Sequence, residues 1–309
     1  MGQNSESYAA RICNELAHYS ALLASQTTAN EAQSVEPRVP AFEFAMQRYS
    51  AYVRSKMPHI HLESYVVECA KRSDRPVRIL SLGAGTGDWE LAIARAISER
   101  VEFVLVDLNA ELLKGTCSAA QAEGITLEAR VEDVNRITIA PRHYDLIVCR
   151  SSLHHFVELE HILSQIKQGL SPEGQLLAIG EVIGRNGLML YPETARVAQA
   201  IFSSLPPRLR FNHYTKQIDD VVPNYDHSHG SFEAIRSEDI LPLLMSIFTP
   251  VEYIVFDAFV SLLLDWQYGP NYDLGQEMDR SLVSLITEMD IQLITHEILR
   301  PTALFGIFK

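Results

Sequence analysis

The chain has 309 residues, 47% hydrophobic and 21% charged, with a net charge of −13, the composition of a soluble globular protein of one or two domains. The negative balance and the lack of any Lys/Arg run argue against a nucleic-acid partner, and no window of about 18 apolar residues suits a membrane span. Cys13, Cys69, Cys117 and Cys149 lie far apart, without CxxC or metal-type spacing, which points to a reducing cytoplasm rather than a disulfide framework.

The opening "MGQNSESYAA" has neither the basic nor the apolar region of a signal peptide. Gly2 invites a lipidation reading, but that pattern wants Ser or Thr where Glu6 stands. Tyr8 to Ser25 places Ile12, Leu16, Leu22 and Leu23 among small residues and reads as a helix. The polar, proline-ended "SQTTANEAQSVEPRVP" reads as a loop. Two further helices, "AFEFAMQRYSAYVRSKM" and "HLESYVVECAKRS", are expected on either side of Pro58. Residues 1–70 are therefore expected to form a helical cap.

From Val77 the pattern changes. "VRILSLG", "EFVLVDL", "LEARVED", "YDLIVCR" and "GQLLAIGEV" are short apolar runs, separated by helical stretches at Asp88–Ser98, Ala110–Glu123 and Glu158–Leu170. Strands alternating with helices predict a doubly wound α/β core over residues 71–184, its sheet covered on both faces. "SPEG" at Ser171–Gly174 predicts a turn. The alternation then breaks. Residues 185–235 read as an insertion with a helix started by Pro192. Residues 236–258 return to the core as a helix, with Ser237 as N-cap, and a strand. Residues 259–300 form a second insertion with a long helix over Gln276–Ile298, and 301–309 close the chain as a last strand.

The glycines after the first strand are spaced Gly83, Gly85, Gly87, a GxGxG turn rather than the GxGxxG of nicotinamide-binding loops. The second strand ends in Asp107, 24 residues after Gly83; a carboxylate there suits the two hydroxyl donors of a ribose. A tight turn lets backbone approach a ligand closely but leaves little room for a pyrophosphate. The ligand implied is a nucleoside without bridging phosphates, which disfavours a dehydrogenase.

With "ILSLGAGTG", "VLVDLN", "VEDV" and "YDLIVCRSSLHHF" in register, the sequence resembles the class I S-adenosylmethionine-dependent methyltransferases over about Val77–Val182 and the last two strands. The resemblance implies a seven-stranded, mostly parallel sheet whose last strand is antiparallel, with S-adenosylmethionine as cofactor. It implies that Gly83, Ala84, Gly85 and Gly87 line the methionine and ribose part of the site and that Asp107 holds the ribose hydroxyls. Leu108 would pack on the adenine, and Asp133 would accept from its amino group, with Val134 supplying a backbone N–H. Arg150 and Ser151 would flank the methionine moiety. Where the family's first strand often ends in an acid, this chain has Ser81.

Ligands of doubly wound folds sit at the C-terminal ends of the parallel strands. The N-terminal helices and both insertions can reach that rim, so three segments are expected to cover one site and exclude water. A cover this large favours a small molecule over a macromolecule, and its aromatic residues (Tyr49, Tyr52, Phe202, Tyr214, Phe259, Trp266, Tyr268 and Tyr272) either greet an apolar acceptor or form the cover's own core. Methyl transfer from a sulfonium is an in-line displacement, and an acceptor that carries a proton needs a base. His154 and His155 after the fourth strand, Glu181 at the end of the fifth and His296 before the last are the candidates. No metal site is expected: His227 and His229 form HxH but lack further ligands nearby. The expected activity is methyl transfer to a small metabolite, of the kind met in natural-product biosynthesis. The alternatives are an RNA or protein methyltransferase and a non-catalytic cofactor-binding subunit. A homodimer with exchanged N-terminal helices is a further expectation.

Overall fold

The computed structural model describes residues 7–30, 39–57 and 62–309. Its centre is a sheet of seven strands: β1 (Val77–Leu82), β2 (Val101–Asp107), β3 (Leu127–Val131), β4 (Tyr144–Arg150), β5 (Leu170–Val182), β8 (Pro250–Phe256) and β9 (Ala303–Phe308). The order is β3-β2-β1-β4-β5-β9-β8. Neighbours from β3 to β5 are parallel, and β9 runs antiparallel to both β5 and β8. This is the expected doubly wound α/β sheet with an antiparallel last strand.

The strands read as near-continuous apolar runs because both faces are buried. Leu80, Leu82, Val106, Ile147 and Cys149 point to one face. There they meet Ile162, Leu163 and Ile166 of α6 (Leu159–Gly169) and Ile240 and Leu244 of α8 (Ser237–Ile247). The alternate residues Ile79, Phe103, Leu105, Leu146 and Val148 point to the other face. They pack on α3 (Leu62–Arg72), α4 (Asp88–Ile97) and α5 (Ala110–Ala122). Each such side chain, buried fully, stabilises the fold by about 1.5–3 kcal/mol.

Several boundaries differ from expectation. Helix α1 (Tyr8–Asn30) runs through Ser25 into the segment read as a loop; the rest of that loop up to residue 38, and Pro58, lie outside the described residues. Helix α3 is not part of a cap, since Val66 and Ala70 lie in the sheet's own core. The "SPEG" segment is carried within β5 as an irregularity between the pairs Tyr144–Leu170 and Leu146–Gln175. Ser237 does not cap α8: it lies inside the helix, buried, and its hydroxyl donates to the carbonyls of Gly184 and Ala234.

The cap has its own apolar centre. Helices α2 (Pro40–Lys56), α7 (Pro192–Ser204), α9 (Val260–Leu264) and α10 (Glu277–Thr295) surround Phe202, Phe259, Tyr268 and Tyr272. A two-stranded ribbon, β6 (Phe211–Asn212) with β7 (Gln217–Ile218), interrupts the first insertion. Tyr49 of α2 donates its hydroxyl to the buried carboxylate of Asp290 on α10, which also accepts from the N–H groups of Ala258 and Phe259. A buried carboxylate saturated in this way ties three cap segments together.

Candidate active site

The turn after β1 is made by backbone that only glycine adopts easily. Gly83, Gly85 and Gly87 have φ of +66°, +58° and +70°. The N–H groups of Gly83 and Ala84 donate to the Val106 carbonyl at 2.9 and 3.0 Å, and Gly85 N–H donates to Asp107 Oδ2 at 2.8 Å. The loop is thereby fixed against the end of β2. The other oxygen, Asp107 Oδ1, accepts from Asn109 N–H at 2.8 Å. An ionised carboxylate has about four acceptor positions, so Asp107 retains capacity for two hydroxyl donors. Burial pushes its pKa up, against the backbone hydrogen bonds that hold it down.

A cavity of ≈ 310 Å³ opens in front of this loop, at the small end of the range for ligand sites. Of the residues named from the resemblance, Gly83, Ala84, Gly85, Asp107, Leu108, Asp133, Val134, Arg150 and Ser151 all line it. Gly87 does not. A Cβ there would stand 2.5 Å from Leu105 Cδ2 and 3.2 Å from Thr116 Cγ2, so Gly87 serves the packing of the turn on the sheet. A Cβ on Gly85 would meet nothing within 4 Å, because that face is the cavity.

Ser81 has a partner the sequence did not disclose. Its hydroxyl donates at 2.5 Å to Glu90 in the first turn of α4, a buried carboxyl whose pKa burial raises. The acid that relatives often place at the end of the strand is thus supplied here from the following helix. At the end of β4, Ser151 has φ +49°, a conformation costly for a residue with a side chain and concentrated at functional sites.

The cover differs from expectation in how it is divided. Helix α1 contributes Glu15, Leu16 and Tyr19 directly to the cavity wall. It is tied down by Arg11, which donates to the carbonyls of Ser228 and Ser231, and by Tyr8, whose ring meets Phe232 at 5.5 Å between centroids. The first insertion thus supports α1 from outside. The second insertion does not line this cavity; with the first it frames a separate cavity of ≈ 240 Å³ through Leu190, Tyr225, Phe259, Leu262 and Gln267. None of the eight cover aromatics lines the glycine-loop cavity. Tyr49, Phe202, Phe259, Tyr268 and Tyr272 are buried in the cap, while Tyr214 and Trp266 are exposed.

The two histidines behave differently. His155 lines the cavity and His154 sits behind it, 6% exposed. Nδ1 of His154 is 3.0 Å from Glu181 Oε2, and Nδ1 of His155 is 3.0 Å from Glu15 Oε1. An ionised carboxylate only accepts, so each Nδ1 carries the proton and each Nε2 is directed elsewhere. Both Nε2 atoms face Glu233, at 3.8 and 3.6 Å. Burial disfavours the His155 cation, but the bond to Glu15 and the charges of Glu233, Glu15 and Glu181 together hold its pKa above the ordinary 6.5. Glu181 is fully buried and also accepts from Ser152 N–H at 3.0 Å; it positions His154 and does not reach the cavity. His296 is exposed at the end of α10 and has no place in the site. Glu15 and Glu233 were not foreseen. They lie in a helix and a loop whose local patterns do not distinguish them from surface acids.

The donor set suits S-adenosylmethionine. Asp107, Asp133 and Glu15 give the wall a negative bias toward a ligand with sulfonium and ammonium charges, and Arg150 is available to its carboxylate. Residues 79–174 match the family model of a methyltransferase domain. The chain is similar to the ubiquinone/menaquinone biosynthesis C-methyltransferase UbiE of Azotobacter vinelandii, at 28% identity over 33% of this chain and 41% of that one. With the protein of the same name from Hydrogenovibrio crunogenus the identity is 23%, over 62% of this chain and 73% of that one. The chain spans less than half the length of the first curated relatives it matches. Among solved structures, the [4+2]-cyclase SpnF aligns with a TM-score of 0.42 and 15% identity, over 80% of this chain and 81% of that one. Among the described residues, no helix is long and apolar enough to cross a membrane, and the four cysteines are free thiols.

Proposed function

The core is a class I S-adenosylmethionine-dependent methyltransferase domain, and from that premise we propose that the chain methylates a small, partly apolar metabolite whose reacting centre must first lose a proton. The observation that carries this reading is a single cavity lined at once by Gly83, Ala84 and Gly85 of the glycine turn, by Asp107, by His155 and by Glu15, Leu16 and Tyr19 of α1. Bound there, S-adenosylmethionine supplies an electrophilic methyl group on a sulfonium. The chain's own residues do the rest. Asp107 anchors the ribose, the glycine turn with Arg150 and Ser151 the methionine end, and Leu108 and Asp133 the adenine end. Leu16, Tyr19, Leu112 and Phe156 give the acceptor apolar walls and keep water out. Among the described residues, His155 is the only histidine in the wall. Its Nδ1–H is fixed on Glu15, so the nitrogen left to act as base once the ring is neutral is Nε2, which Glu233 flanks at 3.6 Å.

An ionisable hydroxyl, phenolic or enolic, is the acceptor class that such a base serves, with the methyl going to that oxygen or to the adjacent carbon. The names of the curated relatives favour carbon. Net charge, the small cavity and the helix in its wall favour a metabolite of natural-product type over RNA or protein, and the free thiols favour a reducing cytoplasm. Two measurements test the reading. Calorimetry should give binding of S-adenosylmethionine and none of NAD. Incubation with methyl-labelled cofactor and a metabolite extract should place label in a low-molecular-weight product. Label confined to protein or RNA, or no turnover with any extract, overturns it.

A further inference from the structure

The structure assigns a divalent transition-metal site to His154, His155 and Glu233, beside the cofactor cavity. One ligand atom from each of these residues lies within 4.8 Å of the other two. Nothing in their spacing announces this. The histidines are adjacent after β4, and Glu233 comes from a loop of the first insertion some eighty residues later.

The arrangement has the parts of a metal site in both its layers. The two Nε2 atoms that face Glu233, at 3.8 and 3.6 Å, are the nitrogens left with a lone pair. Their Nδ1–H groups are already held by Glu181 and Glu15 at 3.0 Å. Carboxylates behind metal-binding histidines fix the tautomer and the ring direction in this way. A tetrahedral ion at about 2.0–2.2 Å from each ligand places ligand atoms about 3.3–3.6 Å apart, so a modest contraction of the three side chains closes the site. Glu233 is half-buried, and the next residue, Ala234, is fully buried with φ +49°.

Charge points the same way. Three carboxylates, Glu15, Glu181 and Glu233, converge on two imidazoles. With neutral rings the cluster carries excess negative charge in a largely buried place, and a divalent cation offsets it. Two imidazoles with one carboxylate suit Zn²⁺, Fe²⁺ or Co²⁺, and disfavour Mg²⁺ and Ca²⁺, which prefer all-oxygen shells. Because His155 lines the cavity, the ion would sit against the cavity wall. Any use of the ion on the acceptor rests on the methyl-transfer reading. Binding of the ion itself does not depend on the reading.

The test uses the full chain, stripped with chelator and titrated with Zn²⁺ by calorimetry and with Co²⁺ by visible absorption. One ion per chain is expected, with Co²⁺ d–d bands and no thiolate charge-transfer band. Glu233→Gln and His155→Gln should abolish the site while circular dichroism stays unchanged. Glu15→Gln, at the second layer and less buried than Glu181, should weaken it 10–100-fold. His227→Gln, in the HxH loop, should leave it unchanged. Absence of a stoichiometric site, a thiolate spectrum, survival of the site in both Glu233→Gln and His155→Gln, or its loss in His227→Gln overturns the assignment. Calorimetry with S-adenosylmethionine on the metal-free chain reports separately. Cofactor binding without Zn²⁺ binding removes the metal site alone, and Zn²⁺ binding without cofactor binding removes the methyl-transfer reading alone.

Discussion

The hydroxyl of Tyr8 lies 2.9 and 2.8 Å from the two carboxylate oxygens of Asp133, so the first helix occupies the acceptor that the methyltransferase resemblance reserves for the adenine amino group. The same carboxylate accepts from Asn135 N–H at 3.0 Å, and Arg136 stacks over the Tyr8 ring. Cofactor entry therefore competes with the docked end of α1. Tyr8→Phe removes the competitor's hydrogen bond but keeps its ring. S-adenosylmethionine affinity should rise by about 0.5–1.5 kcal/mol, read by calorimetry; unchanged or weaker binding would mean that Asp133 and Tyr8 form a wall that the cofactor never opens.

Asp107→Ala should weaken S-adenosylmethionine binding by about 1–3 kcal/mol. The carboxylate also holds Gly85 and Asn109, so part of the loss comes from a loosened loop. Thermal unfolding should be little changed, since β2 ends there. Wild-type affinity in the variant would remove Asp107 from the site.

The glycines should separate by phenotype. Gly85→Val adds a side chain on the cavity face and strains φ +58°, so cofactor binding should vanish in a chain that still folds. Gly87→Ala drives a Cβ into Leu105, so its main effect should be on stability, by about 1–3 kcal/mol. Calorimetry and denaturant midpoints distinguish the two, and equal effects on both measures in both variants would contradict the division.

The α1 clamp should have a pH window. Burial and the His155 partner act oppositely on Glu15, and the partner wins, holding its pKa below the ordinary 4.5; His155 is held above 6.5. A raised histidine stabilises the folded state below 6.5, and that stabilisation is lost as pH rises through its folded value. A lowered carboxyl stabilises above 4.5, and its share is lost as pH falls through its folded value. Amide protection of α1, corrected for the intrinsic pH dependence of exchange, should thus be greatest between these limits and fall on both sides. Glu15→Gln should flatten the profile; an identical profile in that variant would exclude the pair as its cause.

In the cap, burial and the nearby Asp257 push the Asp290 carboxyl up to about 7. A carboxyl whose folded pKa is raised favours the folded state below its unfolded value of 3.8, and that contribution is lost as pH rises through about 7. Cap stability should fall across that interval, and Asp290→Asn should remove most of the slope. A pH-independent wild-type denaturation midpoint would contradict this.

Deletion up to Pro40 removes Glu15, Leu16 and Tyr19 from the cavity wall, so cofactor affinity and turnover should both fall, and cofactor affinity retained at its full value would leave α1 a role toward the acceptor only.

The run of strands along the chain, the glycine turn and Asp107 were legible in the sequence because each is a local pattern. Buried strands must be apolar throughout, a turn with φ above +50° calls for glycine, and a strand end places one carboxylate at a known distance along the chain. What the sequence did not disclose is every relation between distant segments. Glu15 with His155, Glu233 with both histidines, Tyr8 with Asp133 and Ser81 with Glu90 each join residues whose surroundings in sequence are unremarkable. A charged residue on an amphipathic helix looks the same whether it faces water or a ligand, and only the packing of α1 and the first insertion against the rim decided which. The same holds for His154 and His155. Adjacent in sequence, they became one buried and one cavity-lining group because successive residues of a tight turn point in different directions.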